Sequence, residues 1–233
     1  MELIKSSSLC ECVKAKKESS QAVYLSGGTE VLRLSSSVKA DAVIPVSSLI
    51  EKKIEVRGDE IFISSNMTFS ELIDSEIVPS ALKDACKYLA SRALKNAATI
   101  GGNIAAKRCD SFLIPTLLAY DAKLVVFSGE EKICPLKKYV AKGGCNCIIV
   151  GILINPLIKV ANKRESLTSS THAAVTSAMS EKGYFAAVSG GAIYSSLEDA
   201  LAGEIKADIT GSVEYKKYLI KENYNILKEA LNG

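Results

Sequence analysis

Short apolar runs recur along the chain, and the residues that flank each run say what it becomes. Ala22-Val23-Tyr24-Leu25 leads straight into Ser26-Gly27-Gly28-Thr29-Glu30. This predicts a buried strand, a tight glycine turn, and then a short helix near Val31-Leu32-Arg33-Leu34. Ala42-Val43-Ile44 and Ile61-Phe62-Ile63-Ser64 read as short strands on either side of a charged stretch. Thr68 stands three residues before Glu71, the spacing of a capping box, so a helix is expected to start there. After Pro79, residues Leu82, Cys86, Leu89 and Ala93 fall on one face of a second helix.

The stretch Ala98 to Ile104 carries two glycines and reads as a polar corner that breaks the helical pattern. Phe112 to Ala119 predicts a further helix, and Lys123–Phe127 and Cys147–Ile154 predict strands. The polar composition from Asn162 to Thr171 suggests a domain boundary close to Asn155-Pro156. Beyond it, Ala173–Ser180 reads as helical, Tyr184–Val188 as a strand, and Leu197–Ala202 and about Glu214–Leu231 as helices. Strands and helices alternate throughout, which places the chain among α/β or α+β proteins.

Composition narrows the function classes. The 233 residues are 48% hydrophobic and 24% charged, enough apolar surface for a buried core. A net charge of +3 is too near balance to indicate a nucleic-acid or membrane-surface partner. No apolar run approaches the roughly 18 residues of a membrane-spanning helix, and the first residues do not form a secretion signal. Seven scattered cysteines, an odd count, suit a reduced cytoplasmic chain better than a disulfide scaffold.

Candidate chemistry lies in the glycines. Eight of the fifteen form Gly-Gly pairs at 27–28, 101–102, 143–144 and 190–191. Glycine lets backbone N–H groups face a ligand closely, so two such pairs beside threonine could cradle the diphosphate of a dinucleotide. The alternative for each pair is a plain chain reversal. Neither the P-loop spacing nor the Rossmann glycine fingerprint is present. Cys10-Glu11-Cys12 and Cys145-Asn146-Cys147 lack the Cys-x-x-Cys spacing common in zinc and iron–sulfur sites. In an extended segment, however, either pair would lie on one face. His172 is the lone histidine and has no evident catalytic partner. Asp110, seven residues after Asn103, suits either a ribose contact or the cap of the helix that follows.

Taken together, Tyr24-Leu25-Ser26-Gly27-Gly28-Thr29-Glu30-Val31-Leu32 and Ala98-Thr99-Ile100-Gly101-Gly102-Asn103-Ile104-Ala105 resemble the two flavin-binding loops of a known family. That family is the FAD-binding medium subunit of molybdenum hydroxylases, of the xanthine dehydrogenase and carbon monoxide dehydrogenase type. Pro115–Ala122, Phe185–Ala192, Asp199–Gly203 and Gly211–Leu219 continue the resemblance in order along the chain.

The resemblance implies an α+β fold. Two small α/β FAD-binding lobes, 1–55 and 56–156, would be followed by an α+β C-terminal domain, 157–233, holding a three-stranded antiparallel sheet. It implies non-covalent FAD, bound by Leu25, Ser26, Gly27, Gly28, Thr29, Glu30 and Val31 and by Thr99, Ile100, Gly101, Gly102 and Asn103. Asp110, Val150 and Lys159 would add contacts, Lys159 near the flavin. Many relatives place an aspartate nine residues after the loop asparagine. Here that position is Phe112, and Asp110 stands two residues earlier. No side chain need act as acid, base or nucleophile, because the cofactor carries the redox chemistry. The implied partners are an iron–sulfur subunit and a molybdopterin subunit, with NAD as an acceptor. The alternative is an assembly or scaffold member of the same fold that has lost FAD.

Overall fold

Each of three sheets takes its strands from its own stretch of chain. The computed structural model describes residues 1–233 except 35, 37, 107–110, 112, 143–145, 170 and 233.

The first sheet is parallel, in the order β1-β3-β2, from β1 (Glu2–Leu3), β2 (Ala22–Leu25) and β3 (Ala42–Pro45). Helix α1 (Leu9–Glu18) joins β1 to β2. The Ser8 hydroxyl caps α1 by accepting the Glu11 amide, and the helix buries only Cys12 and Val13.

The second sheet is antiparallel, from β4 (Ile54–Arg57), β5 (Glu60–Ser64), β6 (Lys123–Phe127), β7 (Glu131–Pro135) and β8 (Ile148–Ile154), in the order β4-β5-β8-β6-β7. Both of its faces are covered. Phe62, Val125, Ile148, Val150 and Leu153 join the core of the first sheet and α1. Ile61, Ile63, Leu124, Val126, Ile149, Ile152 and Ile154 pack under the helices on the other side. Double burial explains why β8 is apolar at every position rather than alternating. Along β8 the register to β6 shifts, Val125 facing Gly151 and Val126 facing Ile149. The extra residue is Val150, a bulge that switches which core the following side chains enter. Glycine is required beside it, since a Cβ on Gly151 would lie 2.1 Å from the Phe62 ring.

The covering helices are α2 (Phe69–Asp74), α3 (Ser80–Lys87), α4 (Arg92–Ala97), α5 (Ile100–Ala106), α6 (Leu113–Ala119) and α7 (Leu136–Ala141). The capping box at α2 is present: the Thr68 hydroxyl accepts the Glu71 amide, and the Glu71 carboxylate accepts the Thr68 amide at 2.8 Å.

The third sheet has three long antiparallel strands, β9 (Val160–Glu165), β10 (Val175–Ser180) and β11 (Phe185–Ser189), with a three-residue edge strand, β12 (Ala192–Tyr194), beside β11. Helices α8 (Leu197–Ala202) and α9 (Val213–Asn232) pack against this sheet through Val175, Met179, Phe185, Leu219, Ile220 and Leu227. Helix α6 packs on β10 and β11 and is buried along almost its whole length.

Several expectations change. Val31–Leu34 forms turns rather than a helix. The helix after Pro79 ends at Lys87 and restarts at Arg92, where the Ser91 hydroxyl accepts the Leu94 amide. Leu82 and Cys86 are buried as expected, but Ala93 is exposed. The Ala98–Ile104 corner is instead the entry and first turns of α5. Ala173–Ser180 contributes a central strand, not a helix, with β-branched Val175 and Thr176 paired on both sides. Cys10 and Cys12 sit on α1, one exposed and one buried, so they share no face. Cys147 is disulfide-bonded. The pair Gly143-Gly144 and residue Asp110 lie outside the described residues.

Candidate functional site

The end of β2 delivers the first glycine motif. Gly28 has φ +72°, the left-handed region, and a Cβ there would also meet Leu32 Cδ1 at 2.9 Å. Its carbonyl accepts the Leu32 amide at 2.9 Å, closing a single turn. In this loop the amides of Gly27, Gly28, Thr29 and Val31 donate to no acceptor among the described residues. A cluster of unpaired donors on a half-buried loop is the backbone arrangement that suits an anion. Glu30 follows, ion-paired to Arg33 at 3.2 Å.

The second motif is built differently. Its backbone donors are already used inside the protein: Ile100 N–H to Met67 O at 3.0 Å, Gly101 N–H to Ser65 O at 2.9 Å, and Asn103 N–H to Thr99 O at 2.9 Å. Gly102 N–H donates to Thr99 Oγ1 at 3.1 Å. Gly101 is glycine for packing, since a Cβ would lie 2.5 Å from Ser65 Cβ. The Thr99 hydroxyl donates to Ser26 Oγ at 3.3 Å, which ties the two motifs together. Asn103 Oδ1 accepts from the Ser111 hydroxyl at 2.7 Å, fixing the amide so that its NH2 remains to donate. The Ser111 hydroxyl caps α6, accepting the Ile114 amide at 3.2 Å.

Both motifs line a cavity of about 860 Å³, at the upper end of the roughly 300–1,000 Å³ usual for small-molecule sites. Leu25, Ser26, Gly27, Gly28, Thr29, Glu30 and Val31 all line it, as do Thr99, Gly102 and Asn103. Ile100 and Gly101 do not; they are buried beneath it. Val150 lies in the bulge of β8 and Lys159 is exposed ahead of β9, and neither is among the lining residues.

Sequence reasoning missed the rest of the wall. From α1, β2 and the chain before β3 come Lys16, Val23, Tyr24 and Val38, and between α3 and α4 come Tyr88, Leu89 and Ser91. Tyr139 of α7 and Arg164, Thr171 and His172 of the β9–β10 hairpin also line it. Arg164 donates to the Ser166 hydroxyl and to the Thr171 carbonyl, folding the hairpin loop toward the cavity. These residues are scattered along the chain, and only the tertiary fold brings them together.

The electrostatics are those of a dry, donor-rich wall. Burial pushes the Tyr24 hydroxyl up to about 12, with Cys12 adding to the effect. Burial likewise pushes Tyr88 up to about 12, with Asp84 adding and Arg164 opposing. Among the described residues no group of three or more His, Cys, Asp or Glu could hold a metal ion. No described helix is long and apolar enough to cross a membrane. What the cavity offers is unused N–H donors flanked by apolar walls, the donor set for the diphosphate of a dinucleotide with planar groups on either side.

The profile of a family described as the FAD binding domain in molybdopterin dehydrogenase matches residues 1–154. An uncharacterized protein of Escherichia coli strain K12, YgfM, is 28% identical over 219 residues, covering 85% of this chain and 83% of its own. Carbon monoxide dehydrogenase from Hydrogenophaga pseudoflava, in a form lacking the Mo-pyranopterin moiety of its molybdenum cofactor, superposes with TM-score 0.84 at 17% identity, covering 99% of this chain and 96% of the other. Quinoline 2-oxidoreductase from Pseudomonas putida 86 gives TM-score 0.83 at 15% identity over 99% and 96% of the two chains. At such identities the two structures show a shared fold.

Proposed function

The chain belongs to the family of FAD-binding domains of molybdopterin dehydrogenases, with FAD as its cofactor, and we propose that it is the electron-transfer subunit of a molybdenum hydroxylase complex. In a xanthine dehydrogenase-like division of labour, substrate is hydroxylated on a molybdopterin subunit. Electrons pass through an iron–sulfur subunit to FAD and leave to an acceptor such as NAD⁺. The observation that carries this reading is the set of amides at Gly27, Gly28, Thr29 and Val31, without acceptors among the described residues, in a loop that lines the same cavity as Thr99, Gly102 and Asn103.

FAD bound there supplies the exchange between one-electron and two-electron transfer. The chain's own contribution is binding and orientation. The loop amides would take the diphosphate oxygens, as charge-assisted hydrogen bonds. Thr99 would hold the loop by its bond to Ser26. Asn103, oriented by Ser111, would present its NH2 to the ligand. Leu25, Leu32 and Leu89 would cover planar ring surface and keep water out.

The test begins with the isolated chain. Purified protein is expected to show flavin absorption and to release about one FAD per chain. Chain that neither carries nor takes up FAD would instead favour the assembly role. With partner subunits present, reducing substrate should bleach the flavin and NAD⁺ should restore it. Restoration only by another oxidant would remove NAD from the reading.

A further inference from the structure

Asn66 is buried, 5% exposed, on the segment that follows β5. Its Nδ2 donates to the carbonyls of Ser47 and Ile50, both at 2.8 Å. Two carbonyl oxygens can be met only by an NH2 group, so these partners fix the orientation of the amide. Ser47 opens a 3₁₀ turn, Ser47–Leu49, and Ile50 follows it. Just before that turn the Val46 amide donates to Leu25 O at 2.9 Å, at the root of the first glycine motif. The neighbours of Asn66 serve the second motif. Ser65 O accepts the Gly101 amide at 2.9 Å, and Met67 O accepts the Ile100 amide at 3.0 Å. One buried side chain therefore links the support of the first motif to the support of the second.

The direct tie between the motifs is weaker. Thr99 Oγ1 and Ser26 Oγ are 3.3 Å apart, long for a bond between hydroxyls. Asn66 lines a second cavity of about 340 Å³ together with Ser26, Gly27 and Thr99, but it does not line the larger one. Its Oδ1 is buried without a donor among the described residues, which offsets part of what its two bonds contribute to folding. Resting on the reading that FAD occupies the larger cavity, we propose that Asn66 is a positioning residue for the cofactor. By anchoring the Ser47–Ile50 turn it sets the spacing of the two glycine motifs, and it does so without touching the ligand. Groups that bind a ligand must be held within about 0.5 Å of the productive geometry, so a drift in that spacing is felt as lost affinity.

The experiment separates positioning from general stability. Dissociation constants for FAD, and the thermal midpoint of each apoprotein, are measured on wild type, Asn66→Ala, Asn66→Asp and Asn223→Ala. Asn223 is the control, a buried asparagine of α9 that donates to Ser177 Oγ at 3.4 Å and does not line the larger cavity. Asn66→Ala should weaken FAD by about tenfold or more, whereas Asn223→Ala should keep wild-type affinity whatever its midpoint. Asn66→Asp keeps the size of the side chain but turns its oxygens on two carbonyls, until protonation returns one O–H donor. Burial and those carbonyls raise its carboxyl, so its loss relative to wild type should shrink from about pH 8 to about pH 5. Wild-type affinity in folded Asn66→Ala would overturn the proposal. So would losses in the two alanine variants that simply follow their midpoints, which is the structural outcome. If Asn66→Ala does not fold, Asn66→Asp decides alone, and a loss that stays level with pH would overturn the donor role. Wild type that binds no FAD would overturn the flavin reading itself, and Asn66 with it.

Discussion

A Cβ built on Gly27 would lie 1.8 Å from the carbonyl oxygen of Ala97. The backbone of the first glycine loop is therefore in direct contact with the segment that leads into the second. The φ of Gly27 is not in the left-handed region, so this is a requirement of space and not of conformation. A single methyl must push the two loops apart. Gly27→Ala is expected to destabilise the chain by about 1–3 kcal/mol, as other overpacked sites do, and to weaken FAD binding at least tenfold, because the loops frame the diphosphate site. Gly129→Ala is the comparison, since nothing lies within 4 Å of a Cβ there and only its positive φ resists substitution. It should lower stability alone. Chemical denaturation and FAD titration of both variants check this. Normal FAD affinity in Gly27→Ala would mean that the loop contact does not shape the site.

The adjacent glycines 101 and 102 should separate folding from binding. Gly101 faces Ser65 away from the cavity, and Gly102 faces the cavity with Thr99 Oγ1 only 2.8 Å from a would-be Cβ. Gly101→Ala should cost stability while each folded chain still binds FAD. Gly102→Val should abolish FAD retention, because the branched side chain fills cavity space and displaces the hydroxyl that links Thr99 to Ser26. The check is FAD content per folded chain, with folding followed by circular dichroism.

The contrast at 101 and 102 shows what the sequence could and could not reveal. The motif marked the place, but its pairing with Ser65 and Met67 is long-range, and so the amides of the second motif could not be known to be occupied. Glycines normally argue against a helix; here α5 contains them because close approach to Ser65 outweighs their poor propensity. Strand β10 reads as helical in the sequence because burial on both faces removes the alternation that marks a strand, leaving small residues that suit either structure. Helix α1 leaves no stripe in the sequence because it buries two positions only. Local signals survived best. The Thr68–Glu71 box and the Leu82–Cys86 face are each contained within a few residues, and each is present.

Acid should loosen the packing of α9 through one ion pair. Lys216 is fully buried, its ammonium donating to Asp208 Oδ2 at 2.7 Å and to Lys206 O at 2.9 Å. Burial pulls the Asp208 carboxyl up, but hydrogen bonds from Lys216 and Thr210 outweigh it and hold it below its usual value of 3.8. A depressed carboxylate contributes stability that is present above the unfolded value and lost as pH falls through the folded one. Asp208→Asn should therefore be less stable than wild type at neutral pH, with the gap closing below about pH 4. Because Asp208 is nearly half exposed, the gap at neutral pH is expected at about 1–3 kcal/mol, under the 3–5 typical of fully buried pairs. Lys216→Met removes charge and acceptor demand together and should cost less than Asp208→Asn. Urea unfolding at several pH values decides it, and a constant gap across pH would remove the ion pair as its cause.

Alkali should act where α3 meets the third sheet. The Tyr88 hydroxyl donates to Asn162 Oδ1 at 2.6 Å, and Asn162 Nδ2 donates to Ala81 O at 2.6 Å, so one asparagine joins both ends of α3 to β9. Burial above all, with Asp84 adding, pushes the Tyr88 hydroxyl from 10.0 up to about 12. A group whose folded value is raised contributes stability that is complete below the unfolded value and lost between the two. The contribution of Tyr88 should hold to about pH 10 and disappear by about 12, when a tyrosinate would face the asparagine oxygen as a second acceptor. Tyr88→Phe is expected to lose about 1 kcal/mol at pH 8, the scale of one hydrogen bond whose acceptor stays behind. Tyr24, Tyr120 and Tyr139 are also raised by burial, so wild type will lose stability in alkali from several sources. The difference between wild type and Tyr88→Phe isolates this one. It should shrink toward zero from pH 10 to 12 in denaturation at each pH, and a difference that stays level would show that the Tyr88–Asn162 bond does not join the two units.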